Sequence, residues 1–417
     1  MSAILEAWLE GRHVGQFVED GAGRVLFSYD SDAPETPISL SLPRDRPAAQ
    51  KAAANFLSNL LPDEDRVRAR MASIYGAAGV STFDLLEKAG GDIAGGLVLV
   101  SEGETPTFVA PELNPALDRD IAERIAAIKR DPDAWAPSDQ LARFSLAGTQ
   151  GKFALARIGD DWYWSNASQA SSHIIKPARP ELRGLERAEA AALNLAAKVG
   201  VPAPPASVLD VLDQSAFLVE RFDRTISDPT IQRLHAEDFA QATGVSPKAK
   251  YDMSAVQALR LLEKVDRDQR LALGFIRQLA FNTVLGNADA HAKNYSLLLR
   301  PAGVELAPIY DAVPVGLYPR FDQDLAMGIS GAHRPRAVDL SHWRKLARTA
   351  GLDPDAVTHI VITVAKRVAE HADTAWQSLD ADQARALHEI TLRNTEKLLA
   401  GSGGVKSTPS PTPSSTD

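Results

Sequence analysis

Residues 281–311, FNTVLGNADAHAKNYSLLLRPAGVELAPIYD, contain three polar side chains whose order and spacing point to a site. Asp289 is followed five positions later by Asn294, and Asp311 lies 17 positions beyond Asn294. We expect all three on loops between two apolar, strand-like segments. Two carboxylates and an amide oxygen are hard oxygen ligands of the kind that Mg²⁺ prefers. The segment therefore predicts a site able to hold a divalent metal ion.

The same order is that of the catalytic base, the metal-binding amide and the metal-binding carboxylate in protein kinases. Phosphoryl transfer needs an acceptor hydroxyl beside a carboxylate and a metal ion held against the nucleotide phosphates. Asp289 is therefore the candidate base, and Asn294 and Asp311 are the candidate metal ligands. The competing interpretation is that Asp289 and Asn294 are turn residues, because Asx side chains commonly cap loops.

Length and composition limit the class of protein. A chain of 417 residues exceeds what one hydrophobic core usually serves, so we expect at least two subdomains. Without cysteine, the chain has neither disulfides nor thiolate metal sites. Its 45 basic and 54 acidic residues give a net charge of -9, so nucleic acid binding would need a local basic patch or another protein.

The sequence also carries expectations about location. The N-terminal stretch lacks the basic and long apolar regions of a signal peptide, and no later apolar run approaches the roughly 18 residues of a membrane span. We expect a cytoplasmic protein without membrane association. The final residues, 401–417, are rich in Gly, Ser, Thr and Pro and predict a disordered tail.

The first hundred residues predict a small mixed subdomain. Alternating apolar residues around turn-like Glu10-Gly11 and 20–23 indicate hairpins, and PISLSLP (37–43) is typical of another strand. Helices are predicted at 48–61, 65–75 and 82–88. From residue 235 onward the pattern is mostly helical, with predicted helices that include 235–243 and 266–285.

Between these regions lie candidates for nucleotide binding. A small-residue loop, 145–151, leads into Lys152, and such loops can hold phosphates through backbone N–H groups. Lys176 ends an apolar strand, where it could reach phosphates, and Glu189 on the next helix could pair with it. Glu220 to Phe222 follow the last strand of this region, as a kinase hinge would. Each has an ordinary alternative: a Gly-containing hairpin, a solvated lysine, a surface glutamate and a plain strand end.

Taken in order, these pieces resemble the HipA family, the serine/threonine kinase toxins of bacterial toxin–antitoxin pairs. The resemblance runs along nearly the whole chain. Its segments are WLEGRHVGQF (8–17), SLAGTQGK (145–152), HIIKP (173–177), VERFDR (219–224), LHAEDFAQATGV (234–245), GNADAHAKNYSLL (286–298) and PIYD (308–311). It implies an α+β, two-lobed protein-kinase-like fold with a small N-terminal mixed subdomain and a helical C-terminal lobe. The expected divisions are 1–110, the accessory subdomain; 111–222, the kinase upper lobe; 223–400, the helical catalytic lobe; and 401–417, the tail.

The resemblance implies a role for each matching residue. Asp289 would be the catalytic base, and Asn294 and Asp311 would bind Mg²⁺. The residues expected to bind ATP are Ser145, Leu146, Ala147, Gly148, Lys152, Lys176, Glu220, Phe222 and His291, with Glu189 supporting Lys176. In this family the loop serine, here Ser145, can be phosphorylated by the kinase itself, which disables ATP binding. A phosphoserine carries about −1.5 to −2 charges and would compete with ATP phosphates for the same donors.

The resemblance also implies partners. It predicts a HipB-like helix-turn-helix antitoxin that contacts DNA on behalf of the complex, which suits the acidic charge of this chain. The expected substrate is a cytosolic protein such as an aminoacyl-tRNA synthetase. Two other functions stay open at this point: a small-molecule phosphotransferase that shares the Asp-x-x-x-x-Asn geometry, and a non-catalytic corepressor subunit.

Overall fold

The chain begins with a four-stranded antiparallel sheet that buries one face. The computed structural model describes residues 3–106, 113–133, 148, 150–166 and 168–400. Leu5, Ala7 and Leu9 alternate with more exposed residues, so that they line the core side of the first strand. The strands are β1 (Ala3–Leu9), β2 (Arg12–Glu19), β3 (Val25–Tyr29) and β4 (Val98–Ser101), in the order β3-β2-β1-β4.

Three helices cover this sheet and complete what we call the N-terminal unit, β1–β4 with α1–α3. They are α1 (Ala52–Asn59), α2 (Asp65–Tyr75) and α3 (Thr82–Ala89). Helix α3 begins with a capping box in which the Ser81 side chain accepts from the Asp84 N–H. The strand predicted at 37–43 is wrong: Ile38 and Leu42 are buried, but Leu40 donates its N–H to the Glu237 side chain rather than to a sheet neighbour.

A six-stranded antiparallel sheet forms the upper lobe together with two helices. The strands are β5 (Asn114–Pro115), β6 (Phe153–Ile158), β7 (Asp161–Trp164), β8 (His173–Lys176), β9 (Ala206–Val211) and β10 (Gln214–Glu220), in the order β5-β7-β6-β8-β10-β9. The helices are α4 (Asp118–Arg130) and α5 (Leu185–Lys198). Phe217 pairs with Lys176 across β10 and β8, which fixes where the lysine stands on the sheet. A two-stranded hairpin, β11 (Arg224–Ser227) and β12 (Thr230–Arg233), follows this lobe.

The lower lobe, residues 236–400, is mainly helical. Its helices are α6 (Phe239–Thr243), α7 (Ala255–Val265), α8 (Arg270–Leu285), α9 (Leu340–Thr349), α10 (Pro354–Ala375) and α11 (Ala381–Ala400). A small sheet, β13 (Ala236–Asp238), β14 (Ser296–Arg300) and β15 (Gly303–Leu306), lies beside them. Within the described ranges, no helix is both long and apolar enough to cross a lipid bilayer.

Two helix predictions in this lobe need correction. Residues 235–243 are only partly helical, because 236–238 pair with β14 and Asp238 then caps the short α6. The helix predicted from 266 begins at Arg270, since Asp266 folds back to accept the Leu271 N–H at 2.7 Å. That helix ends at Gly286, whose left-handed φ of 75° turns the chain into the loop that carries Asp289.

These observations confirm the α+β, two-lobed architecture with an N-terminal mixed unit. Helix α5 and strand β10 share one buried core with the lower lobe, where Phe217 and Val219 join the same cluster as Phe239. Because packing crosses residue 222, the boundaries at 110 and 222 stay predictions. The tail at 401–417 lies outside the described residues.

A buried network of four charges, Asp92, Arg221, Asp223 and Arg224, joins the N-terminal unit to the segment after β10. Arg224 Nη2 lies 2.9 Å from Asp92 Oδ1, and Arg221 Nη2 lies 2.7 Å from Asp223 Oδ2. The Gly95 N–H donates to Asp223 at 2.7 Å. Gly95 has a φ of 79°, and a Cβ there would stand 2.5 Å from the Ala236 oxygen, so the backbones can meet only at glycine.

Glu237 forms a second buried contact between the N-terminal unit and the lower lobe. Its carboxyl accepts the Leu40 N–H at 2.9 Å and the Ser39 hydroxyl at 2.5 Å. Burial raises the pKa of Glu237 from 4.5 to about 8. Between these two values the folded protein binds more protons than the unfolded chain, so the free energy of unfolding falls as the pH rises through this interval.

We predict that Glu237→Gln stabilises the protein at alkaline pH. A glutamine amide keeps the acceptor for Leu40 and cannot ionise, so the variant should melt a few degrees above wild type at pH 8.5 and close to it near pH 5. Thermal unfolding at both pH values checks this. Exposed Glu263→Gln is the matched control, and an equal offset at both pH values would contradict the prediction.

Candidate active site

A pocket of about 760 Å³ opens between the two lobes. Its size is within the usual range for small-molecule sites, roughly 300–1,000 Å³. It is lined by every site residue expected from the sequence that the structure describes. These are Gly148, Lys152, Lys176, Glu189, Glu220, Phe222, Asp289, His291, Asn294 and Asp311. Ser145, Leu146 and Ala147 lie outside the described residues.

Lys176 lies between two carboxylates at the back of the pocket. Its Nζ is 2.7 Å from Glu189 Oε1 and 2.5 Å from Asp311 Oδ1, and all three side chains come from different elements. Burial alone would lower the pKa of Lys176. The nearby carboxylates of Asp311 and Glu189 outweigh this effect and raise the pKa above its usual value. Burial opposes ionisation of Asp311, but Lys176 and Lys152 hold the pKa of that carboxyl well below its usual range. This arrangement therefore keeps the buried Lys176 cation and the partly exposed Asp311 carboxylate charged.

Asp311 has a strained backbone. Its φ of 55° lies in the left-handed region, which is uncommon for a residue other than glycine. Asn287 holds the conformation by donating its amide to the Asp311 carbonyl at 3.0 Å, and Asn294 donates to Asp311 Oδ2 at 3.1 Å. Strain of this kind persists where the surroundings enforce it and often occurs at functional sites.

Asn294 and Asp311 offer a suitable donor set for a hard cation. An ionised carboxylate and an amide within 3.1 Å of each other can supply two oxygen ligands, and Mg²⁺ usually completes its shell with water and phosphate oxygens. The part of the chain that the structure describes contains no cluster of three or more His, Cys, Asp or Glu side chains suited to a metal. Two protein ligands would leave most of the coordination shell of a Mg²⁺ ion to phosphate oxygens and water.

Asp289 lines the same pocket. Its carboxylate Oδ1 accepts the Tyr251 hydroxyl at 2.6 Å. Burial raises the pKa of Asp289, and the negative charge of Asp311 raises it further. The hydrogen bond from Tyr251 acts in the opposite direction, but the pKa stays above its usual value. The carboxylate is therefore a stronger proton acceptor than an ordinary aspartate.

His291 is buried against Tyr251, with the two rings edge to face at 4.9 Å. Burial and Lys250 lower the pKa of His291 to about 4, so the imidazole is neutral at physiological pH. Among the described residues, His291 Nδ1 has no hydrogen-bond partner. An unsatisfied buried nitrogen is rare in native proteins, and in a pocket it is a free group for a ligand or water.

The described part of the small-residue loop, 145–151, brings Gly148 close to Lys152. Gly148 has a φ of 111°, and a Cβ at this position would stand 2.8 Å from Lys152 Nζ, so the loop needs glycine here. Burial and the neighbouring Lys176 lower the pKa of Lys152 to about 8. An incoming anion would therefore favour the charged form of this lysine.

The predicted hinge, Glu220 to Phe222, also lines the pocket. The Glu220 N–H already donates to the Pro205 carbonyl at 3.0 Å, and the Arg221 N–H donates to Ser172 at 2.8 Å. Within the described chain the Phe222 N–H has no such partner. The Phe222 ring stacks on Tyr310 with centroids 5.1 Å apart. Phe222 therefore presents a backbone donor beside an aromatic surface.

Four polar residues close to this site are not predicted by the sequence patterns: Tyr251, Lys250, Lys293 and Asp63. Tyr251 and Lys250 line the pocket, as does Lys293. Lys293 directly precedes Asn294, and this adjacency was an available signal. Asp63 belongs to the N-terminal unit and contacts both Lys250 and Lys293. Nothing in the local sequence indicates these contacts.

Comparison with known proteins agrees with this geometry. The family model of the HipA-like C-terminal domain matches residues 144–374, and that of the HipA N-terminal domain matches residues 5–100. Together they cover the N-terminal unit and most of both lobes.

Individual relatives match over most of their length. The chain is 32% identical over 404 residues to Y4mE of Sinorhizobium fredii, a protein named as a kinase, covering 92% of this chain and 95% of that one. It is 28% identical over 363 residues to the serine/threonine-protein kinase toxin HipA of Shewanella oneidensis, covering 82% of each chain. A solved complex of Shewanella oneidensis HipA, HipB and operator DNA contains a chain that matches with a TM-score of 0.79 and 26% identity, covering 95% of this chain and 96% of that one. The chain therefore belongs to the HipA family of serine/threonine-protein kinase toxins.

Proposed function

We propose that this protein transfers the γ-phosphoryl group of Mg-ATP to a serine or threonine hydroxyl of a cytosolic protein. The observation that carries the proposal is the convergence of ten predicted residues on one pocket, with the Glu189, Lys176 and Asp311 charges in contact. Catalysis of this kind depends mainly on positioning and charge neutralisation, which a pre-arranged set of charges supplies.

Asp289 is proposed as the base that orients the acceptor hydroxyl and receives its proton. The Tyr251 hydroxyl at 2.6 Å supports this role, because a donor O–H already binds to the carboxylate from the pocket side. Transfer requires the protein substrate to bring its own hydroxyl to the same carboxylate.

The nucleotide is proposed to lie along the wall opposite the lower-lobe helices. Lys176 and Lys152 would contact phosphates, with the backbone of Ser145, Leu146, Ala147 and Gly148. The Glu220 to Phe222 backbone would hold adenine, which is supported by a Phe222 N–H that has no backbone partner among the described residues. His291 would offer its buried Nδ1 to a ligand oxygen.

Asn294 and Asp311 are proposed to hold Mg²⁺. When bound, Mg²⁺ neutralises the charge on the β- and γ-phosphates. Lys176 contributes by fixing Asp311 Oδ1, and Asn294 by fixing Oδ2, so that the carboxylate has one orientation.

The partner is proposed to be a HipB-like helix-turn-helix antitoxin. This rests on the Shewanella oneidensis HipA relative, whose complex contains HipB and operator DNA. The net charge of -9 favours an arrangement in which the antitoxin makes most of the DNA contact. An aminoacyl-tRNA synthetase is the proposed class of substrate, and Ser145 the proposed site of self-inactivation.

We predict that Asp289→Asn lowers phosphoryl transfer by about 10² to 10⁴, the usual contribution of a general base. Labelling from ATP checks this, with circular dichroism to confirm folding. Exposed Asp252→Asn, in the next position to Tyr251, is the matched control and should keep wild-type labelling. Wild-type rates in the Asp289 variant would contradict the assignment of the base.

Incubation with labelled ATP and cell lysate distinguishes a protein kinase from a small-molecule phosphotransferase. We expect a labelled protein band that the Asp289→Asn variant does not produce, and mass spectrometry of that band identifies the substrate. Label appearing in metabolites alone would indicate a small-molecule phosphotransferase, while absence of ATP turnover would indicate a corepressor.

We also predict that protein produced from an active gene contains phosphorylated Ser145. The modification should be absent from the Asp289→Asn variant, because it depends on the enzyme itself. Peptide mass spectrometry after prolonged incubation with ATP measures it. An unmodified Ser145 in protein that stays active throughout would exclude self-inactivation at this residue.

A further inference from the structure

Asp63 brings a carboxylate from the N-terminal unit to the edge of the active site. It lies in the short connection between α1 and α2, with a side chain only 12% exposed. Its Oδ1 is 2.7 Å from Lys293 Nζ and its Oδ2 is 2.8 Å from Lys250 Nζ. One carboxylate therefore holds two lysines of the lower lobe.

The backbone of the same connection contacts the small-residue loop. The Asp63 N–H donates to the Gly148 carbonyl at 3.2 Å, and Pro62 forms a parallel β-bridge with Gly148. Gly148 is also the glycine that packs against Lys152 Nζ. The Pro62-Asp63 connection therefore meets both the loop proposed to bind phosphates and the lysines below it.

The two lysines lie beside the groups proposed for catalysis. Lys293 precedes Asn294, and its carbonyl accepts the Tyr310 hydroxyl at 2.8 Å. Lys250 precedes Tyr251, and its carbonyl accepts the Ala292 N–H at 3.1 Å. The first bond joins the loop that carries the proposed base to the segment before Asp311, and the second joins it to the segment that carries Tyr251.

Charge balance explains why a carboxylate is needed at this place. The side chains of Lys293 and Lys250 are 4% and 11% exposed, so each needs an anion close by. Burial works against the ionised Asp63 carboxyl, but Lys293 and Lys250 lower its pKa, and the group is charged. Without it, the nearby carboxylates are Asp289, whose charge interacts with that of Lys250, and Asp238, whose charge interacts with that of Lys293. Asp289 is the proposed base, so a displaced Lys250 would compete for the carboxylate that the reaction requires.

We propose that Asp63 is a positioning residue of the active site, supplied by the N-terminal unit, which holds Lys250 and Lys293 in place and away from Asp289. It acts through the lysines and has no contact with the reacting atoms. This inference rests on the proposed kinase function and deepens it, because it makes the N-terminal unit part of the catalytic apparatus.

The test compares Asp63→Asn with wild type in two measurements on the full-length chain. Turnover with ATP and the labelled protein substrate should show kcat reduced by roughly 10- to 100-fold, since small misplacements in an active site cost about that much. The KM for ATP should stay within about 3-fold, as expected if the backbone bond to Gly148 survives the substitution. Hydrogen exchange, measured without ATP, should be at least about 10-fold faster in residues 289–296.

Two further variants separate positioning from a general loss of stability. Asp63→Glu keeps the charge and should recover part of the lost kcat. Glu64→Gln removes a neighbouring exposed charge and should match wild type in both measurements. A kcat loss that merely follows a lower fraction of folded protein, or a glutamate variant no better than asparagine, would overturn the inference.

The exchange measurement keeps this inference distinct from the proposed function. A wild-type chain that turns over no ATP would contradict the kinase proposal, while faster exchange at 289–296 in Asp63→Asn would still support the positioning role. Unchanged exchange at these residues would overturn the role of Asp63, whatever the activity of the wild-type protein.

Discussion

Four buried charges at the end of β10 determine how the parts of this protein meet. Asp92 comes from the N-terminal unit, and Arg221, Asp223 and Arg224 follow the upper sheet. Removing one member of such a network would leave a buried charge without its partner, which commonly costs about 3–5 kcal/mol. Phe222 lies between two of the charged residues, so the network also fixes the segment proposed to bind adenine. The position of the pocket wall thus depends on the N-terminal unit.

Inside the pocket, too, buried charges are paired with charges of opposite sign. Glu189 and Asp311 share Lys176, and Asp63 is shared by two other lysines. Each carboxylate is therefore oriented before any ligand arrives. A site arranged in this way spends little free energy on reorganisation when a phosphate enters. The strained backbone at Asp311 is consistent with the same principle, because its neighbours hold a conformation that the residue would not choose alone.

Local sequence patterns predicted helices such as those at 65–75 and 82–88, because apolar periodicity acts over a few positions, whereas the two-lobed class was predicted from the family resemblance. Spacing within 281–311 also selected residues that do lie in one pocket. The incorrect predictions and the missed contacts have a common cause, which is contact with residues far away in the sequence. Residues 37–43 alternate as a strand would, yet their backbone binds Glu237, which is nearly 200 positions away. Residues 236–238 have a helical sequence pattern, but they form a strand that pairs with β14. Asp63 and Lys293 are 230 positions apart, so no local pattern could reveal their contact.

That long separation has a consequence for how the protein is made. Synthesis proceeds from the N-terminus, and the N-terminal unit emerges from the ribosome well before residue 293. Asp92 must likewise wait for Arg224, 132 positions later. A nascent chain that stalls, or a fragment cut between the units, cannot assemble the complete set of charges. The buried carboxylates of the N-terminal unit therefore stay without these lysine and arginine partners until more than half of the chain has been made.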